Sequence, residues 1–336
     1  VVHYRQSDSP HAVAHDRSPM AWVVETSSDP LDEGLARFLE RDRGRPIDVS
    51  ALPVMRFTLL RATDGEALVW TFLHTHLDGR SIRMLLDEVL RDHLGIARAV
   101  TPSPDPGLHV AAALDAERIA AGRAYYQHAL AGLDAPTPTP GWRQVPPSGL
   151  VAGVRVLECI THVPAEDMRA LDSIGSQLGF SWASAVNAAW ALVLGQYGYS
   201  DDVVFGVTRA CRDLVPTSRT TVGCLINTVP MRVALDPAEK VAVFLARVHG
   251  PARTPREFEP VGLRDAAAMS ELRDPRQLVR TIVVCEDHSL DEAIRAIHPS
   301  LSRWHVRLHG QSAAPLTLAT YRRRDGSMDV VVEYDD

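Results

Sequence analysis

The chain has 336 residues, of which 46% are hydrophobic and 23% charged, with a net charge of -7. This is a globular composition, long enough for two lobes of roughly 150 residues, and it excludes disorder and fibres. Charges of both signs are mixed along the sequence, which speaks against nucleic acid as a partner, and no apolar run nears the roughly 18 residues of a membrane span.

The first residues, VVHYRQSDSPHAVAHDRSP, lack the basic-then-apolar layout of a signal peptide. Cys159, Cys211, Cys224 and Cys285 are far apart, with no C-x-x-C pair. Neither disulfides nor a zinc knuckle is expected, and a reducing cytoplasm fits.

Residues 54–62, VMRFTLLRA, and 67–73, ALVWTFL, are apolar β-type runs joined by TDGE, whose Asp-Gly pair predicts a hairpin. Beyond it, Ile82, Leu85, Leu86, Val89 and Leu90 recur at helical spacing and predict a helix over 80–93. The stretch between, HTHLDG, is a strand-to-helix loop, the kind of segment that places side chains at the edge of a sheet. A further helix is expected over 115–132, and the proline-rich run 134–149 reads as an extended linker.

After the linker, 154–163 is a predicted strand, and Pro164 stands where a helix over 164–178 can start. Residues 181–198 are small and apolar almost all round, which predicts a buried helix. Strands are expected at 202–209 and 225–235, a helix over 238–250, and further strands in LVRTIVVCE, PLTLATYRR and MDVVVEYD. Strands and helices alternate in both halves, as in an α/β fold.

His74 and His76 have the spacing of metal ligands, yet no cluster of further ligands accompanies them, and no metal is expected. A plainer reading makes Asp78 the cap of the following helix, with Gly79 permitting the turn. A third makes a loop histidine a general base, since a neutral imidazole takes up a proton near pH 7. In that case Asp78 steadies the loop through a cation, for which Arg209 and Arg212 are candidates. Their plainer reading is a pair of surface arginines. Asn227 and Thr228 interrupt an apolar strand and either line a cleft or form a bulge with Pro230, the bulge being the simpler reading. His3, His11, His15 and His162 read as surface or internally satisfied residues. No G-x-S-x-G elbow, P-loop or G-x-G-x-x-G loop is present.

Together these segments resemble the condensation domain of nonribosomal peptide synthetases, within the chloramphenicol acetyltransferase-like acyltransferases. The family signature HHxxxDG reads LHTHLDG here, residues 73–79. DDVVFGVTRACRD resembles the family's segment ending in an arginine, placed here at Arg212. VGCLINTVPMRV resembles its V-G-x-x-I-N-T-x-P-x-R-V motif, and RDRGRPIDVSALPVMRFTLLRA and YYQHALAGLDAPTP resemble segments flanking them.

The resemblance implies two α/β lobes in a V, residues 1–133 and 150–336, with an active-site tunnel between them. It implies acyl transfer from a thioester on the phosphopantetheine arm of an acyl or peptidyl carrier protein. The acceptor is a small-molecule amine or alcohol, free or carrier-bound, the product is an amide or ester, and no cofactor is resident. It makes His74 the base, Asp78 and Arg212 the support of the loop, and Gly79 an oxyanion donor. Leu73, Cys211, Asn227 and Thr228 become tunnel residues, and His76 falls on a variable position.

Leu73 replaces the first motif histidine and Cys211 a usual glycine. The family's opening segment and last helix have no counterpart, so the sequence reads as part of a longer protein. Two alternatives follow: a non-catalytic module that recruits a partner enzyme or carrier protein, and an acyl-CoA-dependent acyltransferase.

Overall fold

The computed structural model describes residues 2–5, 11–14, 20–52, 54–96, 103–139, 156–250, 252–310 and 314–335. The chain divides into two compact units, Val1–Asp78 and Gly79–Asp336.

In the first unit, β1 (Val2–Arg5) and β2 (His11–Ala14) form an antiparallel pair. β3 (Ala21–Thr26) runs parallel to β4 (Met55–Arg61), which pairs antiparallel with β5 (Glu66–Phe72). The expected hairpin is therefore β4–β5, closed where the Ala62 N–H donates to Gly65 O at 2.9 Å. Helix α1 (Leu31–Arg43), which the sequence reading did not anticipate, makes the crossover that a parallel pair requires.

Strand alternation puts Trp22, Phe57 and Trp70 in register on one face, with successive ring centroids 6.1 and 5.6 Å apart. Asp42 fastens α1 to the sheet. Its carboxylate accepts from Arg56 Nε at 2.8 Å and from Thr71 Oγ1 at 2.7 Å, and Arg56 Nη2 also donates to the Asp42 and Arg45 carbonyls.

The second unit opens with α2 (Gly79–His93), α3 (Pro106–Ala113) and α4 (Ala116–Ala129). Next come β6 (Val156–Val163), α5 (Ala165–Leu178), α6 (Trp182–Gly198), β7 (Asp202–Ala210) and β8 (Ile226–Ala234). The remaining elements are α7 (Val241–His249), α8 (Leu263–Ala267), β9 (Thr281–Glu286), α9 (Leu290–Arg295), β10 (Leu316–Arg322) and β11 (Met328–Asp335).

The strands form one sheet in the order β6-β11-β10-β9-β7-β8. The central strands β7, β9 and β10 are mutually parallel and largely buried, as strands covered on both faces are. On one face, Val203, Phe205 and Val207 pack with Met168 of α5, Trp190 and Leu194 of α6, and Phe244 and Val248 of α7. On the other, Val204 joins Tyr126 of α4, Leu130 just past its end, Val261, and Ala266 of α8. Leu90 of α2 packs with Ile294 of α9 and Leu301.

Helix α6 departs from expectation. It buries Val186, Ala191 and Leu194 but exposes Leu192, Val193 and Tyr197, so it is covered on one side rather than all round. Of the proline-rich run 134–149, residues 140–149 lie outside the described residues. Ahead of them Thr137 is buried, and its hydroxyl accepts from the Val204 N–H at 2.6 Å.

A Cβ at Gly206 of β7 would stand 2.6 Å from both Thr228 Cγ2 and Val279 Cγ1. Gly206→Val is therefore expected to lose about 1–3 kcal/mol in urea unfolding through overpacking. For Asp42, burial raises the carboxyl pKa, but the hydrogen bonds from Arg56 and Thr71 outweigh it and hold the group below its usual value. The clip thus stabilises above the ordinary carboxylate range of about pH 4 and is lost as pH falls through the depressed value. Asp42→Asn should cost about 1–3 kcal/mol at pH 7, and the gap from wild type should narrow in acid.

Candidate active site

The HTHLDG loop leaves β5 as a turn. The His76 N–H donates to Leu73 O at 3.0 Å and the Leu77 N–H to His74 O at 3.3 Å. This turn presents His74 to solvent, whereas Leu77 and Asp78 are buried, Asp78 completely. The His74 ring has no hydrogen bond to another described residue. His76 is half-buried beside Thr75, whose Oγ1 lies 3.4 Å from its Nδ1. Among the described residues no group of three His, Cys, Asp or Glu side chains is placed to hold a metal ion.

Gly79 is the first residue of α2, and its φ is not positive, so the turn does not demand glycine. A Cβ there would meet Glu286 Oε1 at 3.9 Å, an ordinary contact. What glycine provides is a helix-start N–H with little bulk around it. Gly79 thus permits the turn without being required by its backbone angles.

Arg212 lies two residues beyond the end of β7 and is 4% exposed. It is no surface arginine. Its Nη1 donates to the carbonyls of Ser218 and Thr221, each at 2.8 Å, and its Nη2 to Ser81 Oγ at 2.8 Å. Ser81 Oγ in turn donates to Gly223 O at 2.7 Å and accepts from the Gly223 N–H at 3.0 Å. One hydroxyl thereby uses its single proton and both lone pairs, joining the first turn of α2 to the segment that enters β8. His109 of α3 supports the same turn, with Nδ1 2.8 Å from Ser218 Oγ.

Asn227 corrects a second expectation. β7 and β8 pair residue for residue from Asp202↔Ala234 to Ala210↔Ile226, so no bulge forms. The Asn227 amide instead donates to the carbonyls of Glu259 and Val261, both at 2.7 Å. Thr228 lies opposite Thr208 in this ladder.

Cys211 is buried, and its N–H donates to Leu225 O at 2.9 Å. Burial, with the Glu259 charge adding to it, pushes its thiol pKa up to about 12. Exposed His162 lies 3.0 Å from Asp329 Oδ1, while the His3, His11 and His15 side chains lie outside the described residues.

A pocket of about 590 Å³ runs beside β8, lined by Tyr125, Pro230, Arg232, Leu235 and Arg247 among others, and none of the candidate residues lines it. No single helix among the described residues is long and apolar enough to cross a membrane.

The sequence reading overlooked Ser81 and His109, and it left Arg209 open. Ser81 stands two residues beyond the LHTHLDG motif, where a small hydroxyl in a first helical turn is the available signal.

The family model described as "Condensation domain" matches residues 2–336. The chain belongs to the condensation domain family. It is 30% identical over 286 residues to a subunit of the linear gramicidin synthase of Brevibacillus parabrevis, covering 84% of this chain and 4% of that protein. It is 31% identical over 261 residues to a chondramide synthase of Chondromyces crocatus, covering 76% of this chain and 6% of the relative. The chain thus spans a small fraction of the length of these curated relatives.

Among solved structures, the condensation domain of the monacolin K polyketide synthase superposes with a TM-score of 0.77 at 13% identity, over 100% of this chain and 80% of that one. The X-domain from teicoplanin biosynthesis gives 0.74 at 17%, over 99% and 77%. These likenesses establish the mixed α/β fold of the condensation domains.

Removing the Ser81 hydroxyl takes one acceptor from Arg212 Nη2 and one from the Gly223 N–H. Ser81→Ala is expected to lose about 1–3 kcal/mol, read by urea unfolding. Iodoacetamide at pH 8 should label exposed Cys159 in the folded protein and reach Cys211 only after denaturant is added, as mapped by peptide mass.

Proposed function

We propose that this chain is a condensation-type acyltransferase of natural-product assembly. It moves an acyl group from a thioester on the phosphopantetheine arm of a carrier protein to an amine or hydroxyl acceptor, giving an amide or ester. The observation that supports this reading best is the Arg212–Ser81–Gly223 set of hydrogen bonds. It fixes the first turn of α2, directly after the loop of His74 and Asp78, and a base placed by geometry needs a rigid mount.

The chemistry falls to few groups. His74 takes the proton of the acceptor as its nitrogen or oxygen attacks the thioester carbonyl. The carbon–sulfur bond then breaks, and the imidazolium returns the proton to the departing thiolate. The Gly79 N–H at the start of α2 is a donor for the oxyanion that forms between these steps. The donor arrives activated as a thioester, so the reaction needs no resident cofactor. Arg212 and Asp78 act by holding backbone, without touching the reacting atoms, and Leu73, Cys211, Asn227 and Thr228 bear on the substrate path.

The test is an intact-mass assay with acyl-loaded carrier proteins, an acyl-CoA arm and a panel of amines and alcohols, run beside His74→Ala. Carrier-dependent product is expected, with the variant slower by about 10²–10⁴. Equal rates in the variant would remove His74 from the chemistry. Turnover with acyl-CoA alone would move the donor, and carrier binding without product would point to the recruitment module.

A further inference from the structure

The end of β7 carries more positive charge than its surroundings balance. Arg209 lies opposite Asn227 in the ladder, and its Nε is 3.5 Å from Glu259 Oε1. Arg253 Nη2 lies 3.5 Å from the same oxygen. Glu259 is 7% exposed, yet its Oε1 has no hydrogen-bond partner among the described residues, nor do the buried Nε atoms of Arg209 and Arg253.

Two guanidinium groups thus share one carboxylate loosely, without the paired N–H···O geometry arginine normally makes. Asn227 holds the Glu259 and Val261 carbonyls, so the segment bearing Glu259 is pinned to β8. Nearby the pattern repeats: Arg219 and Arg256 both contact Asp213, at 2.9 and 2.8 Å. Burial and the neighbouring Arg253 charge push the Arg209 pKa below its ordinary value, as expected where cations outnumber anions. In a chain of net charge -7, this locus has the opposite sign.

We infer that Arg209 and Arg253 form a recognition site for a monoanionic oxygen group on a substrate. One added negative charge brings the Arg209–Arg253–Glu259 cluster to neutrality. A planar or tetrahedral oxyanion supplies the acceptors that the two arginines lack. Two sources carry such a group: an acceptor bearing a free carboxylate, and the phosphodiester of the pantetheine arm. Naming those sources rests on the proposed function, whereas the anion site itself rests on the charge cluster alone.

The experiment measures thermal midpoints of the whole chain at fixed ionic strength with butyrate, dimethyl phosphate, neutral butyramide, or sodium chloride alone. At about five times its dissociation constant, a bound anion should raise the midpoint by about 1–2 °C. Butyramide should leave it at the chloride value. A rise with butyrate assigns the site to a substrate carboxylate, and a larger rise with dimethyl phosphate assigns it to the arm. Arg209→Met and Arg253→Met should each abolish the rise, and Arg209→Lys should retain part of it.

Midpoints indifferent to both anions in the wild type would overturn the inference, as would a rise unchanged in both methionine variants. The readout does not depend on turnover. A protein without transferase activity that still binds the anion keeps this inference and loses the proposed function. An active protein indifferent to both anions does the reverse.

Discussion

The buried guanidinium of Arg212 is the constraint around which the second unit is arranged. Taking an arginine out of water costs several kcal/mol unless its donors are met. Here the backbone carbonyls of Ser218 and Thr221 and the Ser81 hydroxyl accept from it, and they come from two separate stretches of chain. Satisfying them fixes three things together: the first turn of α2, the turn that follows β7, and the entry into β8. Such an arrangement contributes little net stability compared with an apolar replacement, but it selects one arrangement of backbone over its neighbours.

The candidate chemistry divides into groups that hold and groups that act. His74 is exposed and unfastened within the described chain, as a group that meets a mobile substrate must be. Asp78, Ser81 and Arg212 are buried. Arg209, three residues before Arg212, differs in kind. Arg212 donates to two backbone carbonyls and the Ser81 hydroxyl, while Arg209 shares a carboxylate at the limit of contact. One strand end therefore carries an arginine bonded to three oxygens at 2.8 Å beside one that lies 3.5 Å from a shared carboxylate. The fold is shared with structures only 13–17% identical.

How much of this could be read beforehand follows from range in sequence. The β4–β5 hairpin, α2 and the His74 loop were legible because Asp-Gly turns and helical apolar spacing act over a few residues. The central strands were legible because burial on both faces leaves an unbroken apolar run. The exposed side of α6 was not, since Leu192, Val193 and Tyr197 carry no mark that nothing covers them. Asn227 looked like a bulge because its partners, the Glu259 and Val261 carbonyls, are more than thirty residues away. The Ser81–Gly223 bonds span 142 positions and have no local signature. Helix α1 was missed despite apolar residues Leu31, Leu35 and Phe38 at helical spacing, because its charged residues mask the stripe.

β8 closes one side of the six-stranded sheet, so one row of its backbone groups lies beyond the ladder with β7. Pro230 stands in the middle of that row and brings no N–H to it, and the Thr254 hydroxyl lies 3.4 Å from its carbonyl. Pro230 is itself buried, and the segment from Thr254 to Val261 covers this side of β8. A proline there spares the covered edge a backbone donor that would otherwise need an acceptor.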